Sequence, residues 1–352
     1  MVLLTCAVLL ALCLLAVLPL FNERWTGAVS VLVAILAALA VLASALAQNS
    51  VPDREYYLDL FRATAAGPFP ELYGQSDPIF VVFLWCLGRV LPASAPVLFG
   101  SVAAAIATSY IWAAKRMLGL AGSLCAFVTL LASGWLLSYS TVAIRQGLAI
   151  SVLMIALALA SGERKRLSYL APLLVAASLL HWSAVAPSVV LAWVSVRPAS
   201  IRIALVTWIA FATAYLFNAQ QAALTALGVS TPSLSEYSQE AAYLNYGTSG
   251  NRLDFLIVSG LFAFGGVVAS RRLKNRRYDF LVTVFLFWNC VFLCFGFIAF
   301  SDRLASYSWF LGPILAWFAL DRVAGPFARA ALLGTAFLAW ASSGAIGAVV
   351  GQ

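Results

Sequence analysis

The 352-residue chain is 63% apolar and only 10% charged, and its mean hydropathy is +0.97. Soluble domains carry about 25% charged and about 45–50% apolar residues, so this composition excludes a soluble enzyme, a nucleic-acid binder and a disordered scaffold. At about 20 apolar residues per bilayer crossing, it predicts an all-α, polytopic transmembrane protein of about 12 crossings, folded as a single domain over 1–352.

In chain order, apolar runs of helical length occupy roughly 1–21, 25–47, 95–114, 119–137, 143–160, 203–218, 253–270, 279–299, 304–320 and 330–349. The first lacks a basic n-region and runs straight into the second, which reads as a retained helix more than a cleaved signal. Within 48–77, Ser50 and Pro52 resemble a helix start, and Asp53 and Glu55 fall in the first turn, where the helix dipole favours anions. Tyr57, Leu60, Phe61 and Thr64 form one stripe and Gly67-Pro68 ends the element, so a short amphipathic helix on the membrane surface is expected. Residues 78–91 are too short for a comfortable crossing, carry Arg89 and precede Pro92 and Pro96, which predicts a half-helix or re-entrant segment. The run 167–196 is 30 residues long with His181 near its centre, which predicts two crossings meeting there. The stretch 219–251, polar and rich in Ser, Tyr and Gly, reads either as a sugar-contacting lid or as a plain connector.

The basic residues cluster in short loops between apolar runs: Lys115-Arg116, 163–166 and 271–277. Under the positive-inside rule these loops are cytoplasmic, and counting the segments so that they share one side turns 48–77, 138–144, 219–251 and 301–303 outward. That count also places the N-terminus outside. The six cysteines lie in apolar segments without CxxC spacing, and there is one histidine, so neither a Cys/His zinc site nor a cofactor is expected.

Ionisable residues at the edges of apolar spans are costly and mark functional candidates. Arg145, His181, the pair Asp302-Arg303, and Asp77 qualify, and the charge-derived topology puts all of them on the outer face. Each also has a plainer reading. Arg145 could snorkel to the interface, His181 with Trp182 could belong to packing and an aromatic belt, Asp302-Arg303 could be a loop ion pair, and Asp77-Pro78 could simply start a helix.

At these positions the sequence resembles the EpsG family of bacterial exopolysaccharide polymerases, related in role to the Wzy polymerases. The similarity rests on D-x-x-Y-Y at Asp53, Tyr56 and Tyr57, an acidic-Pro-x-Phe element at Asp77 to Phe80, and I-R-Q-x-L-A from Ile144 to Ala149. It continues with H-W-S-A from His181 to Ala184 and D-R-x-x-x-Y at Asp302, Arg303 and Tyr307. The family's usual Glu in the acidic-Pro element is Asp77 here, with Glu71 six residues earlier. The resemblance implies a Wzy-like or GT-C-like helical bundle in the inner membrane. It would join oligosaccharide repeat units carried on undecaprenyl diphosphate at the periplasmic face, with membrane lipid around it and a chain-length regulator as a candidate partner.

The residues fit that chemistry. Arg145 and Arg303 would clamp the departing diphosphate, since the guanidinium fork binds phosphate bidentately and stays charged. His181 is a reasonable general base for the acceptor hydroxyl; Asp77 or Asp53 could serve instead, with His181 orienting the diphosphate. Tyr56, Tyr57, Gln146, Trp182, Tyr246 and Asp302 are candidate sugar contacts. The rival classes are a flippase for the lipid-linked sugar, an O-antigen ligase or other polyprenyl-dependent transferase, and a membrane acyltransferase. A transporter would want charges along a central path and an internal repeat, and neither is visible.

Overall fold

The computed structural model describes residues 52–162, 167–197, 199–226, 251–298 and 301–323, with isolated helical positions between 35 and 46. The apolar runs 1–21 and 330–349, nearly all of 25–47, the basic cluster 163–166 and residues 227–250 lie outside them. Among the described residues every regular element is helical. Ala95–Leu120, Leu253–Leu273 and Arg276–Cys294 are each long and apolar enough to cross a membrane, and the bent pair Gly122–Leu131 and Trp135–Thr141 adds a fourth if taken as one broken span. The other apolar helices, such as Pro78–Val90 and Ile144–Ala160, are shorter. The chain divides into two compact units: Met1–Leu159, Ala171–Val185 and Leu320–Gln352 form one, and Ala160–Leu170 and Ala186–Ala319 form the other.

In the first unit, α1 (Pro52–Ala66) and α2 (Pro78–Val90) pack against each other. Proline at the start of each costs no hydrogen bond, because the first N–H groups of a helix have no partner within it. Tyr57 and Phe61 on the α1 stripe are buried, and the Tyr57 ring meets Phe80 of α2 edge-on at 5.7 Å. The stripe expected to face lipid therefore faces protein. Arg89, in the last turn of α2, donates to the Gly67 carbonyl at 2.5 Å and ties the α2 end to the α1 end. At 13 residues and about 1.5 Å per residue, α2 is about 20 Å long, short of the ~30 Å hydrocarbon core.

Helix α3 (Ala95–Ala132) breaks at Gly119, whose φ of 79° and ψ of −179° fall in a region essentially reserved for glycine. The break follows Lys115-Arg116, so both charges lie in the last turns of the spanning segment Ala95–Leu120. Next come α4 (Trp135–Thr141) and α5 (Ile144–Ala160). They meet closely at Gly147, where a Cβ would lie 2.4 Å from the Tyr139 carbonyl oxygen and 2.7 Å from Ile106 Cδ1. Helix α6 (Leu167–Leu180) stops before His181, which is extended (φ −160°, ψ 124°), and one 3₁₀ turn follows at Trp182–Ala184. The interruption expected at His181 is thus a true break in the helix.

The second unit contains α7 (Val185–Val196) from Ala186 onward, α8 (Ile201–Leu216), α9 (Ala219–Ala226), α10 (Leu253–Leu273), α11 (Arg276–Cys294), α12 (Ser301–Trp309) and most of α13 (Gly312–Val323). Its core is joined by the buried Asn289 amide. Asn289 accepts from Trp208 Nε1 at 2.8 Å and donates to Ser259 and Ser308 hydroxyls at 2.9 Å each, and Trp309 Nε1 adds a bond to Ser259 at 3.0 Å. Apolar packing alone associates helices weakly in lipid, so such interhelical bonds fix which helices meet. The basic cluster 271–277 ends α10 and begins α11, with only Lys274 and Asn275 as the turn between them. Lys274 takes a left-handed backbone, and Asn275 caps α11 by accepting from the Arg277 and Tyr278 N–H groups at 3.0 and 3.1 Å.

Because the atom facing Gly147 is a backbone oxygen, a methyl there must push α4 away from the first turn of α5. Gly147→Ala is expected to destabilise the detergent-solubilised protein by about 1–3 kcal/mol, read as a lower midpoint of thermal unfolding; an unchanged midpoint contradicts this packing.

Candidate active site

Asp77 sits at the N-cap of α2 but does not cap it with its side chain. An N-cap aspartate usually spends its carboxylate on the free N–H groups of the first turn. Here Phe80 and Val81 N–H reach the Asp77 backbone carbonyl instead, at 3.1 and 3.4 Å. The carboxylate, 3% exposed, is turned to distant segments. Oδ2 accepts from Arg145 Nη1 at 2.5 Å, Oδ1 accepts from the Trp182 backbone N–H at 3.2 Å, and His181 Nδ1 stands 3.6 Å from Oδ2.

Local structure delivers each partner. Arg145 is the second residue of α5, set by the close α4–α5 contact at Gly147. The break after α6 leaves the Trp182 N–H outside the helical ladder, where it needs an acceptor, and Asp77 supplies one. The same break brings His181 alongside the carboxylate, at ion-pair range and beyond a normal hydrogen bond. From α1, the Tyr57 hydroxyl accepts from Arg145 Nε at 3.0 Å while its ring lies 5.4 Å from the guanidinium carbon. Arg145 is therefore held by two partners, yet its side chain remains 30% exposed and Nη2 is left for a further acceptor.

Burial by itself would raise the Asp77 carboxyl, but His181 beside it, the Arg145 charge and the Trp182 N–H together bring it below the ordinary carboxylate value. Asp77 is therefore held ionised, which makes it a poor acceptor of a substrate proton and a good anchor for two cationic or polar partners.

The remaining candidates sort by position. Tyr56 is exposed, its ring edge-on to Tyr57 at 5.4 Å, and Trp182 is 61% exposed beside His181. Asp53 is half-buried in the first turn of α1, one turn before Tyr57. Gln146, next to Arg145, is buried. Asp302 and Arg303 lie in the first turn of α12 in the second unit, both half-buried. Tyr246 lies outside the described residues. Among the described residues no three His, Cys, Asp or Glu side chains group closely enough to hold a metal ion.

One residue absent from the sequence-based candidates stands out. Arg54 of α1 is 7% exposed, its guanidinium stacked 3.7 Å over the Phe99 ring, and burial lowers its pKa. The signal was legible: Arg54, Tyr57 and Phe61 recur at helical spacing, so a charge lies on the apolar stripe.

The EpsG family profile matches residues 29–338, most of the chain and every element just described. Searches of curated proteins and of solved structures return no match.

The lowered Asp77 pKa fixes the sign of a pH effect. Its stabilisation is complete above the unfolded carboxylate value, about 3.9, and is lost as pH falls through the folded value. Asp77→Asn should cost about 1–3 kcal/mol at neutral pH, because Arg145 loses its anionic partner, and should flatten the acid limb of stability against pH. An acid limb identical to that of the wild type contradicts the assignment.

Proposed function

Because the chain belongs to the EpsG family, we propose that it is a glycosyltransferase of the bacterial inner membrane. It polymerises oligosaccharide repeat units carried on undecaprenyl diphosphate at the periplasmic face. Family membership and the apolar spanning helices make it a membrane protein of the polysaccharide-polymerase type. The finer reading includes about 12 crossings in a GT-C-like or Wzy-like bundle, with the site facing outward. The observation that carries it is the Asp77 carboxylate holding Arg145 and His181 side by side.

The transfer forms one bond and breaks one. An acceptor sugar hydroxyl attacks the anomeric carbon of the donor, and the bond from that carbon to the lipid diphosphate breaks with its electron pair going to the diphosphate. Arg145, whose Nη2 is not committed to Asp77 or Tyr57, meets the negative charge growing on the leaving oxygen. The hydroxyl proton needs an acceptor. With Nδ1 turned to the Asp77 carboxylate, His181 presents Nε2 to the substrate and takes the proton there. Asp77 orients both residues and stays ionised itself, so the base role falls to His181 and not to Asp77. Exposed Trp182 and Tyr56 flank the cluster and suit stacking on sugar rings.

Purified protein given lipid-diphosphate-linked repeat units and no nucleotide sugar should yield a ladder of longer glycans. His181→Ala should slow ladder formation by about 10²-fold or more, and Arg145→Ala should abolish it while folded protein is retained. Normal polymerisation by both variants overturns the site. Wild-type protein that only moves the lipid across vesicles makes the chain a transporter.

A further inference from the structure

Arg54 carries a charge that no described residue compensates. It belongs to none of the ion pairs, and its Nη1 is buried without a hydrogen-bond partner. Its one close polar-to-aromatic contact is the face of Phe99. A ring face recovers only part of what a guanidinium loses on leaving water, and an unpaired buried charge is among the more destabilising features a fold can carry. A methionine or leucine would pack on Phe99 without that cost, so packing alone does not account for an arginine.

Its position suggests what the charge is for. Arg54 and Tyr57 are three residues apart on the buried face of α1, which makes their side chains neighbours with Cβ atoms about 5–6 Å apart. The Tyr57 hydroxyl is the acceptor for Arg145 Nε. Tyr57 thus bonds one guanidinium, that of Arg145, which is tied to Asp77 with one amino group left over, and follows by one helical turn a second arginine, Arg54, which has no anionic partner among the described residues. A monophosphate can be met by the fork of one arginine, whereas the two adjoining phosphates of a diphosphate are best met by two.

We propose that Arg54 is the second guanidinium of the anion site and takes the phosphate of a polyprenyl diphosphate that Arg145 does not hold. The proposal rests on the polymerase reading and deepens it: the first unit supplies both cations, one on α1 and one on α5. Pairing with phosphate also removes the cost of an uncompensated Arg54, so binding stabilises the fold through this residue.

The test uses the full chain in nanodiscs, with affinities measured for undecaprenyl diphosphate, undecaprenyl monophosphate and phosphatidylglycerol. Wild-type protein is expected to prefer the diphosphate to the monophosphate by about tenfold or more. Arg54→Met should unfold no more easily than wild type without ligand, bind the diphosphate about tenfold or more weakly, and bind the monophosphate almost as before, so that the preference collapses. Arg54→Gln gives the same readout if the methionine variant does not fold. A folded variant that keeps the wild-type preference overturns the proposal, as does one that loses both phosphates equally. Wild-type binding of phosphatidylglycerol as tight as that of the diphosphate, lost on mutation, makes Arg54 a contact for bulk lipid and also overturns it. Wild-type protein that binds no diphosphate overturns the polymerase reading itself.

Discussion

The Asp77 carboxylate is the point on which the geometry of the first unit depends. It is buried and ionised, a state tolerated only where its oxygens are met by donors and its charge by a cation. The donors come from residues 68 and 105 positions further along the chain. The start of α2, the start of α5 and the break after α6 must therefore coincide in space. Each contributes a group left over by its own local structure: an N-cap side chain not used for capping, an arginine in the first turn of a helix, and a backbone N–H released where a helix stops. A shift of α5 or a continuous helix through His181 would leave that carboxylate under-satisfied, so the fold and the site are specified by the same contacts.

On the proposed function, that arrangement divides the chemical labour. A carboxylate kept below its ordinary pKa does not compete for a substrate proton, but it does orient an imidazole and fix a guanidinium. The polymerase proposed above would then use an oriented base, in which the group touching the reactant is held by a second group that does not titrate during the reaction. Arg145 is shared between that anchor and Tyr57, and its Nη2 is committed to neither. Tyr57 passes the constraint on to α1, whose buried charge, Arg54, lies one turn away. The second unit meets its buried polar groups differently. The Asn289 amide and its serine and tryptophan partners satisfy one another, as expected of interhelical glue.

Much of the site was legible in the sequence because charge is so scarce there. Arg145, His181 and Asp77 were conspicuous as polar residues at the edges of apolar runs, and the short segment 78–91 and the break at His181 followed from length against bilayer thickness. What could not be read was how these residues divide their roles. Asp77 before Pro78 has the signature of a helix cap, and only the tertiary fold shows the carboxylate turned elsewhere. The α1 stripe has the composition of a surface-lying helix, and whether lipid or protein covers it depends on where α2 packs. Arg54 shares the helical spacing of Tyr57 and Phe61, but a stripe laid on the membrane surface gives no reason to bury a charge there. Gly147 gave no local signal at all, because its reason is the carbonyl of Tyr139 on another helix.

On the proposed function, Asp77 acts through Arg145 and His181 and not on the substrate directly. A double-mutant cycle on the rate of glycan-ladder formation tests it, comparing wild type, Asp77→Asn, Arg145→Gln and the double variant, all folded. If the carboxylate works by positioning Arg145, each single variant should lose nearly as much rate as the double, as residues acting in one unit do. If the two losses multiply, Asp77 and Arg145 act independently and the account of this site is wrong.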